Sequence, residues 1–209
     1  MKHFDTIAIT RKGLEKELKE FETLLRKNRN LEERNDIQPF LKKRRMLSAA
    51  IGHILPISLN PDLIAYEFDL FGEFVCDIVV GDSESNKYLL IELEDGKTTS
   101  IFKKLKAKET PEWNTRLEHG ISQVVDWYHT IDLERNGPKF PYKFKTAKAQ
   151  LYGLVVIGRQ AKWEEREHRR FMWRQEKTVI NSDKIAIMNY DEIARVMRVR
   201  LNVPKDKRI

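Results

Sequence analysis

Two segments decide the fold: Phe74-Val75-Cys76-Asp77-Ile78-Val79-Val80 and Tyr88-Leu89-Leu90-Ile91-Glu92-Leu93-Glu94. Each has strand length and is dominated by β-branched, aromatic and aliphatic residues. Between them lie the turn formers Gly81-Asp82-Ser83-Glu84-Ser85-Asn86, so an antiparallel hairpin is predicted. Side chains alternate along a strand, which puts Glu92 and Glu94 on one face and Leu93 on the other. By the same rule Asp77 shares a face with Val75 and Val79, while Cys76, Ile78 and Val80 point oppositely. The hairpin can thus gather three carboxylates on one face, where they repel unless protonated or bound to a cation. Hard divalent ions take oxygen ligands of this kind, with water and phosphate oxygens completing the shell. A hairpin with its acids on the solvent face is the alternative. Acids inside such apolar strands cost more than acids on an ordinary edge, which sets a functional use level with that alternative.

Outward from the hairpin, Gly96-Lys97-Thr98 looks like the end of a phosphate-binding loop, but that pattern needs a glycine where Ile91 stands. A lysine-rich stretch comes next, with Lys97, Lys103, Lys104, Lys106 and Lys108. Residues 114–131 read as a helix on which His119, Gln123 and Trp127 share a face. Trp127 reads first as a core residue, and Gln123 as either a surface residue or one turned toward the acids. Phe140 to Thr146 reads as a connector, and Leu151 to Gly158 as a strand buried on both faces. A charged helix over Arg166 to Arg174, a short strand at Ile185 to Met188 and a last helix capped by Asp191 complete this half. Upstream, Tyr66, Phe68 and Leu70 alternate with acids as in a strand. Leu14, Leu18, Phe21 and Leu25 mark one face of a first helix. A second helix is expected from Asn35 or Asp36, with Lys42 to Arg45 outward and a break at Pro56, Asn60 and Pro61.

The formal charge of +7 is compatible with nucleic acid or an anionic surface without requiring either. A single cysteine, Cys76, excludes an intramolecular disulfide and a multi-cysteine zinc site. No apolar run approaches the ~18–20 residues of a membrane span, and Met1-Lys2-His3-Phe4-Asp5 begins no secretory signal. A cytoplasmic protein without membrane association is expected. The five histidines, His3, His53, His119, His129 and His168, show no metal-ligand spacing. The reading is an α/β domain with a helical amino-terminal portion.

Taken in order, Asp77, Glu92-x-Glu94 and Gln123 in Ile121-Ser122-Gln123-Val124-Val125-Asp126-Trp127 resemble the PD-(D/E)XK nuclease superfamily. More narrowly, they resemble the Shedu anti-phage nuclease domain. Ile91-Glu92-Leu93-Glu94-Asp95, Ile101-Phe102-Lys103-Lys104, Ser122 to Trp127, Tyr152 to Arg159, Asn189-Tyr190-Asp191 and Asp36 to Leu41 are similar to its elements. The likeness covers about residues 30 to 200. Two positions depart from the superfamily pattern: Cys76 precedes the aspartate instead of proline, and Glu94 replaces the usual lysine.

The resemblance implies a restriction-endonuclease-like mixed central sheet flanked by helices. It divides the chain into a helical extension at 1–32 and a nuclease-like domain at 33–209. It implies hydrolysis of DNA phosphodiesters with Mg²⁺, for which Mn²⁺ would substitute. Asp77 and Glu92 would be metal ligands with the Leu93 carbonyl, and Glu33 the helical acid with Asp36 behind it. Glu94 would be general base or second-metal ligand, and Gln123 would orient phosphate or nucleophile. Lys97, Lys103 and Lys104 would meet the DNA backbone or simply compensate the acids. A homo-oligomer is a family expectation. The rival reading is a catalytically silent nucleic-acid-binding or sensor module on the same fold.

Overall fold

The computed structural model describes residues 3–54, 59–104, 108–180 and 183–202; Pro56 and Lys106 lie outside them. After the short strand Asp5–Thr6 (β1), the chain enters helix Arg11–Lys27 (α1), whose N-cap Thr10 accepts from the Gly13 amide. Leu14, Leu18, Phe21 and Leu25 are its buried face, as their spacing predicts. The second helix is divided. A π-helical turn at Glu33–Ile37 leads into Gln38–Lys42 (α2), and Arg45–Ala50 (α3) starts afresh after Arg44. Arg44 leaves helical geometry to lay its guanidinium 3.6 Å from the Phe40 ring centre and to pair with Glu20 at 2.8 Å. The basic run therefore ends one helix and begins the next.

Strands Leu63–Leu70 (β2), Phe74–Asp82 (β3) and Lys87–Leu93 (β4) form an antiparallel meander. A two-stranded ribbon of Phe102–Lys103 (β5) and Glu112–Trp113 (β6) precedes the long helix Thr115–Glu134 (α4), capped by Asn114. Helix Lys139–Phe144 (α5) occupies the segment expected to be a connector. Phe140 and Phe144, one helical turn apart, are wholly buried there, so tertiary burial makes a helix of a segment whose local pattern reads as a connector. Strand Gln150–Val156 (β7) precedes helix Glu165–Lys177 (α6). Short strands Val179–Ile180 (β8), Asp183–Lys184 (β9) and Ala186–Met188 (β10) and helix Tyr190–Asn202 (α7) end the described chain.

The central sheet is mixed and six-stranded, in the order β1-β2-β3-β4-β7-β10, with β4, β7 and β10 parallel. One hydrophobic core lies on each face. Ile78, Val80, Ile91, Leu93 and Val156 pack toward α1, α3 and α7, while Val79, Leu90 and Val155 pack toward α4, α5 and α6. Each large apolar side chain so buried contributes about 1.5–3 kcal/mol. Among the described residues no helix is long and apolar enough to cross a membrane.

Two features of the helix packing matter for the acids. Asp191 does not cap α7, since the Asn189 side chain accepts from the Glu192 amide. Asp191 instead accepts from Arg159 Nε and Nη2 at 2.8 and 2.9 Å, and Arg159 also donates to the carbonyls of Leu25 and Asn28, clamping the end of α1 to α7. Helix α4 packs close to the sheet because each side of the contact contributes a glycine, Gly120 of α4 facing Val155 and Glu94, and Gly153 of β7 facing Val124 and Tyr128. A Cβ on Gly153 would stand 2.6 Å from Val124 Cγ1, and one on Gly120 would stand 2.8 Å from Val155 Cγ1 and 3.2 Å from Glu94 Cγ. Gly153→Ala is accordingly expected to destabilise the protein by about 1–3 kcal/mol through overpacking, measured as a lower urea midpoint at unchanged m-value.

Candidate metal centre

The site begins where the β3–β4 ladder opens. The last cross-strand pair before the acids is Ile78 with Ile91. Beyond it, side chains of β3 serve backbone groups of β4. Asp77 Oδ2 accepts from the Leu93 amide at 2.9 Å, and the Cys76 thiol faces the carbonyls of Ile78 and Ile91 at 3.3 and 3.6 Å. Strict alternation therefore fails at this point. Cys76 packs with Val79 and Leu90, on the opposite side from Ile78 and Val80, while the Asp77 carboxylate reaches the Leu93 amide. On β4 the expectation holds: Leu93 packs on the α1 side and Glu94 meets α4.

Four other elements complete the arrangement. The Glu33 amide, in the π-helical turn, donates to Asp95 Oδ1 at 3.1 Å. Gln38 Nε2 donates to Asp77 Oδ1 at 2.9 Å and to Glu33 Oε1 at 3.1 Å, so one amide holds two acids together. The Tyr190 hydroxyl at the start of α7 donates to the Glu94 carbonyl at 2.7 Å. From α4, His119 Nδ1 lies 2.6 Å from Glu94 Oε1, and Arg116 lies 3.4 Å from Glu94 and 3.8 Å from both Glu33 and Asp95. Gln123 Nε2 lies 3.4 Å from His119 Nε2, reaching the imidazole and not an acid.

Glu92 is the anomaly. It is 8% exposed, yet its carboxylate receives no hydrogen bond or ion pair from any described residue. Burial, then repulsion from Asp77, Glu94 and Glu33, pushes its pKa well above the ordinary carboxylate range. Burial also raises Asp77, against the Leu93 hydrogen bond and with further repulsion from Glu33 and Glu94. Glu33 is raised by burial and by Glu94. Asp95 behaves oppositely. Burial would raise it, but the hydrogen bonds from Lys97 and the Glu33 amide, with Arg116 nearby, hold it below the usual value.

A divalent cation fits this donor set. Glu92, Glu94 and His119 each offer one ligand atom, and these atoms lie within 4.8 Å of one another. Two carboxylates and an imidazole are oxygen and nitrogen donors of the kind that metal ions take. Of the residues singled out in the sequence, Asp77, Glu92, Glu94 and Glu33 are brought together. Three further participants, His119, Arg116 and Gln38, carry no such signal. His119 and Gln123 share a helix face, but that spacing alone does not place an imidazole against Glu94. Arg116 lies one turn before His119, and Gln38 sits inside a segment distinguished only by its family likeness. Lys97 turns back onto Asp95 at 2.9 Å, which is compensation, whereas Lys103 and Lys104 are exposed. These two border a groove of about 1050 Å³ that also takes in Arg29, Thr98, Asn114 and Lys162.

The model of the C-terminal region of the Shedu protein SduA matches residues 30–194. The chain belongs to that family. The match takes in every residue of the acid centre and leaves α1 outside. No curated protein matches the chain.

Raised carboxyl pKa values have a definite sign for stability. Below the ordinary carboxylate range both folded and unfolded states are protonated and no penalty exists. As pH rises, the unfolded chain loses these protons first, so metal-free stability falls by up to about 1.4 kcal/mol per pH unit for each such group until its folded-state value is passed. Urea melts in EDTA from pH 4.5 to 9 are expected to show Glu92→Gln overtaking the parent as pH rises. Parallel curves for the two proteins would mean that Glu92 carries no such penalty.

Proposed function

We propose that this domain is a metal-dependent DNA endonuclease of the PD-(D/E)XK type, acting in defence against phage. The observation that carries the reading is the unpaired, buried carboxylate of Glu92 between two further acids and an imidazole. A structural role would have supplied a donor, since an isolated buried charge costs several kcal/mol. Family membership adds the biological setting.

In this reading Glu92 and Glu94 hold the cation, with Mg²⁺ or Mn²⁺ as the ion. When bound, the ion supplies positive charge that neutralises a phosphodiester and makes its phosphorus more electrophilic. Asp77, fixed by the Leu93 amide and Gln38, keeps a third carboxylate at the rim, and Glu33 stands behind it. His119 donates its Nδ1 proton to Glu94, which leaves the Nε2 lone pair facing Gln123. The Glu94–His119 pair can therefore accept a proton from an attacking water, while Gln123 holds the imidazole in that tautomer. Arg116, half-exposed beside the acids, is placed to meet a phosphate oxygen. Lys103 and Lys104 would receive the flanking backbone in the adjoining groove.

Incubating the protein with plasmid DNA in Mg²⁺, Mn²⁺ or EDTA tests the reading. Cleavage is expected with either ion and not in EDTA, and Glu92→Ala is expected to reduce it to background. Cleavage by Glu92→Ala at the parental rate would overturn the assignment. Binding to duplex DNA in EDTA should survive Glu92→Ala. Replacing Lys103 and Lys104 together by Ala should lower affinity for all sequences and flatten the salt dependence by about 0.9 logarithmic units per lost contact. An unchanged slope would place these lysines outside the DNA path.

A further inference from the structure

Helix α6 carries a charged face that the acid centre does not use. Arg166, Arg169, Arg170, Trp173 and Arg174 recur at three- and four-residue intervals and so share one side, while Glu167 and Phe171 are buried on the other. With Trp113 they line a groove of about 710 Å³. Its floor is rigid. Trp113 stacks on Phe102 with ring centres 4.4 Å apart, and the guanidiniums of Arg174 and Arg170 stand 4.7 and 5.0 Å from the Trp113 ring. Arg174 is held by two 2.6 Å hydrogen bonds to Glu118, and Arg170 by one of 2.7 Å to the Pro111 carbonyl.

Its rim is free. Arg166 and Arg169 are exposed, Arg166 has no acidic partner among the described residues, and Arg169 reaches only Glu165 at 3.7 Å. Trp173 is 65% exposed beside them. An indole left in water on a helix that carries four arginines contributes little to folding, yet it presents a flat π surface next to unspent positive charge.

We propose that this groove binds single-stranded nucleic acid, with bases stacking on Trp173 and on the Trp113–arginine platform and phosphates meeting Arg166 and Arg169. Stacking needs an unpaired base face, which a duplex conceals, and aromatic–base stacking with arginine along the strand is sequence-tolerant. An apolar peptide would have to desolvate the arginines without pairing them. Arg166 to Arg174 spans about 12 Å of helix, enough for a short stretch of strand. The site adjoins the acid centre through α4, where Glu118 faces Arg174 and His119 faces Glu94. It uses none of the acids, so it stands or falls independently of cleavage.

The test is equilibrium binding of fluorescein-labelled dT12 to the full chain in EDTA, read by anisotropy and by quenching of tryptophan emission. Trp173→Ala is expected to weaken dT12 binding about tenfold and to leave a blunt 20-base-pair duplex bound as before. Replacing Arg166 and Arg169 together by Ala is expected to flatten the salt dependence by about 0.7 logarithmic units per lost phosphate contact. Since Trp173 is exposed, the thermal melt should not change, and a matching melt excludes misfolding as the cause. Three results would overturn the proposal. Trp173→Ala could bind dT12 as tightly as the parent. Thymidine monophosphate could bind as tightly as dT12, making the groove a mononucleotide pocket. Polyglutamate could displace dT12 at equal charge concentration, making it an acceptor for acidic protein.

Discussion

Burial of Glu92 without a counter-charge is the constraint around which this domain is arranged. Its strand, β4, lies inside the sheet between β3 and β7, and Glu92 and Glu94 at its end are 8% and 0% exposed. The protein compensates the neighbours selectively. Asp77 receives a backbone amide and the Gln38 side chain, Asp95 receives Lys97 and the Glu33 amide, and Glu94 receives His119 and Arg116. Glu92 receives nothing from the described residues. The fold satisfies the surrounding acids, leaves Glu92 without a partner among the described residues, and groups it with Glu94 and His119 in a set that could hold a metal ion.

Helix α4 is the instrument that makes the centre asymmetric. Its first two turns send Arg116 and His119 to the acids and Glu118 the other way, to Arg174 of α6. This works only because the helix lies close enough for an imidazole to touch Glu94, and Gly120 and Gly153 permit that approach. The same residues that look like mere packing choices thus set a distance in the site.

The opposite side of the sheet fixes the backbone. The Tyr190 hydroxyl holds the Glu94 carbonyl, and the Arg159–Asp191 pair ties α7 to the end of α1 while the Asp95 carbonyl accepts from the Gly158 amide. Arg159 and Asp191, which look from their charge like surface residues, serve as a clamp. The short bridge between Leu31 and Gly96 then seats the Glu33 turn against the acids. The geometry of the acid centre on one face rests on hydrogen bonds made by the other.

Local pattern determined much of this. Apolar runs bounded by turn formers made the β3–β4 hairpin and the buried β7 legible, four-three-four spacing revealed α1, and acids inside apolar strands marked Glu92 and Glu94. Those signals are local because strand alternation and helical periodicity act within a few residues. The helix at Phe140 to Phe144, the break at Arg44 and the lost alternation at Asp77 were not legible, since each is decided by a partner far along the chain: the second core, Glu20 and the Leu93 amide. His119, Arg116 and Gln38 belong to the same class. Their side chains are ordinary polar groups on helices, and only the close seating of α4 and the π-helical turn before α2 turns them toward the acids. Sequence could say that the carboxylates share a strand end; whether they are compensated there is a matter of distances, and distances exist only once the layers have packed.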